Sequence, residues 1–410
     1  MPNSFLPPKV FANAALAFLK NNLVMAKLCD SEGVDKEFKA PVGGTVYVKR
    51  PPEFIVRNGA VASPQDVVEG EVAVNINIQR GVDVQFTSVE ETLNVDALMK
   101  SRVMNGAMSQ LATDIDMNLI ARVNEFHNFV GTAGNTISTP LAFNAAPQRL
   151  DEMAVPGTDR NAVLAPDSAW AIVGNLAASA AQSDSGIAES ALKRAKLPML
   201  GNVDTYQTQT VPSIVTGSRT NGAVNGASQN VTYDAVRSTY SQTLSVDGLG
   251  ANATIAAGEV FTLAGVFAVN PRTKAVLPYL QQFTVLTAAT ASAGGAVAAL
   301  EISPPIITTG AYRNVSAAPA DNAVLTWFGS AGTTLRSNAA FHKNAIKLVS
   351  AKLVMPYTGE ASYATDPDTG LTIRYWRYSD GANDTHNHRF DVLFGTVNAD
   401  RRLGTRINGA

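Results

Sequence analysis

The stretch Val72-Ala-Val-Asn-Ile-Asn-Ile-Gln-Arg-Gly-Val-Asp-Val-Gln-Phe86 places Val72, Val74, Ile76, Ile78, Val82, Val84 and Phe86 at even positions. Glu71, Asn75, Asn77, Gln79, Asp83 and Gln85 alternate with them. A two-residue period puts every apolar side chain on one face of a strand. Parity carries through Gly81, so the stretch reads as one long strand and not as a hairpin turn. At the usual rise it reaches roughly 50 Å, longer than most strands. Thr45-Val-Tyr-Val-Lys49, continuing through Phe54-Ile-Val56, offers an antiparallel partner. The tip between them, Arg57 to Gly70, holds the turn signals Asn58-Gly59 and Ser63-Pro64.

A two-stranded hairpin is marginal alone in water. This one needs a surface to lie on, either its own domain or a neighbouring subunit. Its charges are sorted, with Lys49, Arg50, Glu53 and Arg57 on the outgoing arm and Asp66, Glu69 and Glu71 on the return. Such charges read either as a solvated face or as ion pairs between subunits that fix register.

After the strand, Ser88-Val-Glu-Glu91 fits a capping box. From Ala97 to Phe126 there is no proline, and Ala107, Leu111, Ile115, Leu119, Val123 and Phe126 recur at helical spacing. This predicts a helix of roughly 45 Å. Its methionines, Met99, Met104, Met108 and Met117, read as adaptable packing residues. Upstream, residues 10–28 predict a short helix with Phe11, Ala15, Phe18 and Leu19 on one side.

Asn161-Ala-Val-Leu-Ala-Pro166 reads as a buried strand, Asp167 or Ser168 as the cap of a helix to about Ala181, and Val203 to Val211 as a strand. From Ile214 to Asn338 the chain turns rich in Gly, Ala, Ser, Thr and Asn, with short strand-like runs at Glu259–Leu263, Gln282–Leu286, Val297–Ile302 and Ala323–Trp327. That pattern predicts a small barrel or sandwich inserted into a parent domain. The α/β style then resumes, with strands at Ala345–Val354, Leu371–Tyr378 and His388–Thr396.

Charge and chemistry narrow the function classes. With 32 basic against 34 acidic residues the net charge is −2, which argues against a dedicated nucleic-acid binder. One cysteine, Cys29, excludes an intramolecular disulfide framework. No apolar run approaches the roughly 20 residues of a membrane span. His386-Asn-His388 places two imidazoles on one strand face, with Asp384 and Asp391 nearby. A polar loop leading into a strand explains the same residues without a metal. Asp366-Pro-Asp368-Thr-Gly370 resembles a calcium loop, but Arg377 stands where an EF-hand needs Glu, so a plain turn is expected. Gly248-Leu-Gly250 mimics a dinucleotide fingerprint without the helix that must follow. No constellation supports catalysis, and no cofactor is expected.

Several segments in order resemble the P22-like branch of the HK97-fold coat proteins of tailed phages. Val34-Asp-Lys-Glu-Phe38 and Gly44-Thr-Val-Tyr-Val-Lys-Arg-Pro51 look like the family's entry into its extended loop. Leu111-Ala-Thr-Asp-Ile-Asp116 looks like its spine helix, and Gly201-Asn-Val-Asp-Thr-Tyr206 like an axial-domain strand. Phe341-His-Lys-Asn-Ala345 resembles the return to the parent fold. Arg389-Phe-Asp-Val-Leu-Phe-Gly395, with Arg402-Leu-Gly404, resembles the C-terminal strand pair. Gly258 to Val266 and Gln282 to Leu286 resemble two strands of the inserted barrel.

The resemblance implies an α+β, HK97-like capsid fold with an inserted small all-β domain. Its parts would be an N-terminal arm (1–39), an extended loop (40–86), a peripheral domain with the spine helix (87–155) and a first axial part (156–213). The inserted barrel (214–338) and a return to the axial and peripheral domains (339–410) would complete it. It also implies a major capsid protein that assembles with copies of itself, as pentamers and hexamers, into an icosahedral shell in the host cytoplasm. A scaffolding protein would guide assembly, a portal protein would occupy one vertex, and double-stranded DNA would be enclosed without sequence-specific binding. No membrane or covalent Lys–Asn crosslink is expected. Lys9, Lys20 and Lys27 are candidates for scaffold contact. The alternatives are another virion protein, such as a tail-tube or decoration subunit, and a metal-dependent hydrolase using His386 and His388.

Overall fold

The computed structural model describes residues 8–31, 44–62, 64–87, 89, 102–180 and 200–409, with the side chains of 176–180 left aside. The capping box at 88–91, Met99 and the Val34–Phe38 motif therefore lie outside the described residues. The chain divides into two compact units. The first comprises Met1–Tyr47, Ala73–Leu119 and Ile346–Val397, and the second Val48–Val72, Ile120–Ala345 and Asn398–Ala410.

The alternating stretch is two strands, not one. Strand β1 (Thr45–Arg50) pairs with β2 (Gly70–Asn75), and β3 (Ile78–Thr87) resumes after Ile76 and Asn77. The break is a change of partner, because Ile76 N–H donates to the Gly44 carbonyl at 2.9 Å whereas β3 pairs in antiparallel with a C-terminal strand. Parity survives the break. Val72 and Val74 are buried, and Ile78, Val82, Val84 and Phe86 are the half-buried positions of β3. The first arm stops at Arg50, so Phe54–Val56 does not extend the strand.

In the first unit a five-stranded sheet has the order β18 (Ile346–Ala351), β21 (Thr385–Asn398), β20 (Thr372–Asp380), β19 (Glu360–Thr365), with β3 paired to β21. Gly81 faces Asp391 in the β3–β21 register. A Cβ there would come within 2.6 Å of Asp391 Oδ1 and 2.7 Å of the Phe390 carbonyl. Glycine is thus required where the Asp391 carboxylate, held by Arg374 and Arg389, fills the space.

The long helix runs Arg102–Ile120, and a 3-10 turn, Ala121–Glu125, replaces the expected final helical turn. Within the second unit, Asn398 Nδ2 donates to the Arg122 carbonyl of that turn at 2.8 Å, satisfying an acceptor the α-helical ladder leaves open. The buried stripe is Met104, Met108, Leu111, Ile115 and Leu119, whereas Met117 is exposed. The N-terminal segment is also broken, into helices Pro8–Asn22 and Met25–Leu28. Asp116 of the long helix causes the break, accepting the N–H groups of Val24 at 2.8 Å and Ala26 at 3.3 Å. Beyond it, Asp30 forms a parallel bridge with Lys347 of β18.

The second unit contains a five-stranded sheet in the order β4 (Asn128–Val130), β22 (Gly404–Ile407), β17 (Asn338–His342), β5 (Arg160–Leu164), β6 (Asp204–Gln207). Its outer pairs are parallel and its inner pairs antiparallel. Helices Pro140–Glu152 and Pro166–Ala180 share a core with it that includes Phe143, Leu150, Ile172, Leu164 and Ile407. The second helix starts at Pro166, ahead of the expected cap. Proline suits a first helical position, and Asn338 accepts the Ala165 N–H at 2.7 Å while donating to Ser168 Oγ.

A closed antiparallel barrel follows in the order β11 (Val260–Val269), β12 (Val276–Val285), β14 (Val297–Ser303), β9 (Gln242–Asp247), β8 (Gly222–Val224), β15 (Val324–Trp327). Full closure leaves no free sheet edge. Phe261, Leu263, Phe283, Val285, Leu300, Ile302 and Trp327 fill it. A short pair, β10 (Thr254–Ile255) with β13 (Ala289–Thr290), lies outside the closed ladder. Chain entry and exit are joined by β7 (Ser213–Val215) and β16 (Thr334–Arg336), which pair in antiparallel.

Candidate assembly interface

The extended loop divides into a fixed root and an open tip. At the root, Lys49 Nζ meets Glu69 at 2.8 Å across the two arms, an exposed pair of little energetic weight. Arg50 turns inward. Its Nε donates to the Ala399 carbonyl at 2.8 Å and its guanidinium lies over the Tyr240 ring at 5.0 Å. Burial pushes the Arg50 guanidinium below its ordinary range, with Asp400 acting against the shift.

Glu53 is held from two sides, by Lys274 of the β11–β12 turn at 2.8 Å and by Arg402. Its N–H donates to Tyr312 Oη at 3.2 Å, and the Tyr312 hydroxyl donates to the Val68 carbonyl at 2.6 Å. Tyr312 stacks on Tyr233 in a small cluster with Val236, Tyr240, Ile307 and Val68. Gly70 closes this seat, since a Cβ there would lie 2.3 Å from Tyr233 Oη and 2.9 Å from the Arg237 carbonyl. Arg402 also binds Asp400. Burial alone would raise the Asp400 carboxyl, but Arg402 outweighs it and holds the group at about 2.

Beyond the root, Gln65 pins the tip by accepting the Ile55 N–H at 2.9 Å and donating to the Ile55 carbonyl at 2.6 Å. Arg57 bonds the carbonyls of Gly59 and Val61 within the same tip. The backbone is thus shaped while its apolar side chains stay in water. Val56 is 94% exposed and Val61 85%, and Phe54, Ile55 and Val67 are exposed beside them. Asp66 and Glu71 are exposed on the returning side. Nothing in the alternation of Val72–Phe86 signals that Arg50 and Glu53 turn inward; their partners lie hundreds of residues away in sequence.

The other sequence candidates go elsewhere. Lys20 is tied to Asp366 at 2.9 Å and to Asp368, so the loop at 366–370 is a turn organised by the Asp366 carboxylate. Lys9 and Lys27 are exposed. His388 is buried, with Nδ1 2.7 Å from the Tyr375 hydroxyl, and His386 Nδ1 meets Ser379 Oγ at 2.7 Å. Phe11 and Phe86 enclose His388 in an aromatic cluster. No group of three or more His, Cys, Asp or Glu residues among the described residues is placed to hold a metal. Among the described residues no helix is long and apolar enough to cross a membrane.

A family model described as P22 coat protein, gene protein 5, matches residues 9–409. No curated protein matches. Among solved structures, the chain is similar to one from Mycobacterium phage Che8 at 12% identity and TM-score 0.44, covering 93% of this chain and 90% of that one. The capsid structure of cyanophage P-SCSP1u aligns at 10% identity and TM-score 0.46, over 95% and 88% of the two chains. The CUS-3 coat protein I-domain aligns at 24% identity and TM-score 0.20, over 26% of this chain and 93% of that one. The family match spans both compact units, the barrel and the extended loop, and favours a coat protein over a tail-tube subunit, a decoration protein or a hydrolase. The chain belongs to the P22 coat protein family and is a phage major capsid protein.

Proposed function

We propose that this chain is the repeating subunit of a closed icosahedral head shell, arranged as pentamers and hexamers around double-stranded DNA. The observation that carries this reading is the tip of the extended loop, which displays Phe54, Ile55, Val56, Val61 and Val67 to solvent on a backbone shaped by Gln65 and Arg57. Several large apolar side chains left in water on one loop with a fixed backbone point to an interaction site. In a shell each tip buries that surface on a neighbour, and many modest contacts close the assembly. Lys49, Arg57, Asp66, Glu69 and Glu71 supply the polar rim, whereas Arg50 and Glu53 hold the loop to its own subunit.

A scaffolding protein guides closure in this reading. Lys9 and Lys27 are its contacts on the N-terminal arm, because Lys20 is engaged by Asp366 and Asp368. A portal protein takes one vertex, assembly occurs in the host cytoplasm, and the chain is not an enzyme. The parent fold is divided as the family resemblance implies, with the barrel as an insertion between axial strands.

Electron microscopy of the protein co-expressed with its scaffolding protein tests this reading. Closed shells of uniform size are expected. Monomers or open tubes, under conditions where the subunit remains folded, would overturn it.

A further inference from the structure

We propose that the barrel is the positioning device of the extended loop, and that Lys274, acting on Glu53, sets the angle at which the loop leaves its subunit. The inference rests on the shell reading for its consequence, but not for its mechanical half. Glu53 is the last charged residue before the apolar tip begins at Phe54, so whatever fixes Glu53 fixes the direction of the tip. Two cations from separate parts of the second unit converge on its carboxylate, Lys274 from the β11–β12 turn and Arg402 from the segment before β22.

The turn presenting Lys274 is itself constrained. Asn270 Oδ1 accepts the N–H groups of Arg272 and Thr273 at 2.9 Å each, while Asn270 Nδ2 donates to the Glu152 carbonyl at 2.8 Å. Lys274 sits at φ 57°, a left-handed conformation that an L-residue adopts at a cost. The returning arm is held by the same barrel-linked segment, since Tyr312 bonds both Glu53 N–H and the Val68 carbonyl. Both arms are therefore seated on elements contributed by residues 233–312 before the loop projects.

Both charges of the Lys274–Glu53 contact are largely withdrawn from water, with 19% of each side chain exposed. An ion pair in that setting contributes direction more than net stability. Arg402 still faces the Glu53 carboxylate when the lysine is lost, so no charge is left buried and unpaired, and the loop should be freed without unfolding the subunit. Shells built from freely angled loops lose their single size, because each contact between copies depends on where the tip lands.

The test uses the unassembled subunit and the assembly product in parallel. A nitroxide on Val61→Cys reports tip mobility; the native thiol, Cys29, is buried and burial pushes it up, so labelling under native conditions goes to position 61. Expected for Lys274→Met and Glu53→Gln is loss of the immobilised component of the spectrum in a subunit that still unfolds cooperatively above the assay temperature, and for Lys274→Arg its recovery. Without the label, Lys274→Met should give shells of mixed diameter and Lys274→Arg shells of one diameter. Unchanged label mobility in both folded variants would overturn the proposal, and so would a freed loop that still builds shells of one size. If the unsubstituted chain forms no closed shells, the subunit reading fails, while the label comparison still decides whether the barrel holds the loop.

Discussion

Arg219 and Glu259 form an ion pair where the chain enters the barrel, with both side chains out of water and the guanidinium 4.1 Å from the Trp327 ring centroid. Glu259 also accepts the N–H groups of Gly217 at 2.8 Å and Ala256 at 2.6 Å. Breaking such a pair from one side strands a buried charge. Glu259→Ala should lower the unfolding free energy by roughly 3–5 kcal/mol, read from urea denaturation followed by tryptophan fluorescence. Glu259→Gln, which keeps one acceptor, should lose less.

Asp116 gives the first unit a pH-dependent stability. Burial raises its carboxyl to about 6, and the N–H groups of Val24 and Ala26 oppose the rise without cancelling it. The folded state therefore binds the proton more tightly than the unfolded chain, and stability falls as pH rises from about 4 through 6. The difference of about two pKa units corresponds to about 3 kcal/mol. His127 contributes the opposite slope: burial lowers it to about 3, so the unfolded chain takes up the proton first and stability falls as pH drops from about 6.5 towards 3. The comparison of Asp116→Asn with the unsubstituted chain isolates the aspartate. The variant should gain relative stability between pH 5 and pH 7, measured by chemical denaturation.

How much of this was legible in sequence depends on how local each signal is. The alternation of Val72–Phe86 gives the buried face of two strands correctly, but parity carries no information about a partner change at Ile76. Glu259–Leu263 and Gln282–Leu286 stand out as apolar runs, but the strands that contain them extend over Val260–Val269 and Val276–Val285, where Gly265, Pro278 and Gln281 interrupt the apolar signal. Gln242–Asp247 is as regular, with Leu244 and Val246 buried, yet it lies among polar residues and carries no apolar run. Asp116 sits in a helical pattern as an ordinary polar residue, and only the tertiary contact with Val24 and Ala26 shows why the N-terminal helix breaks. Arg50 and Glu53 share the composition of a solvated arm. Their burial depends on Ala399, Tyr240, Lys274 and Arg402, which no local pattern connects to them.

Gly81 supplies a test of the β3–β21 pairing. Gly81→Ala would drive a methyl group against Asp391 Oδ1 and the Phe390 carbonyl. The expected cost is about 1–3 kcal/mol, with β3 amides losing protection from hydrogen exchange while the barrel amides keep theirs.

Val56 separates folding from assembly. Its side chain meets water almost completely, so Val56→Asp should change subunit stability by no more than about 0.5 kcal/mol. The same substitution should block shell formation, seen by sedimentation as subunits that no longer shift to the fast-moving fraction.

The clasp between β7 and β16 has a consequence for chain entropy and folding order. Thr334 lies opposite Val215 and Arg336 opposite Ser213, so a long excursion of the chain returns to its own point of departure. In an unfolded chain that return costs the loop-closure entropy of the whole excursion. Once the barrel has closed, the remaining slack is short and β16 is delivered beside β7 almost without further loss. Asn338, two residues on, can then reach Ala165 and Ser168. A kinetic order follows in which the insertion matures first and hands the finished ends to the sheet, so that slow steps in the barrel delay the parent fold as well.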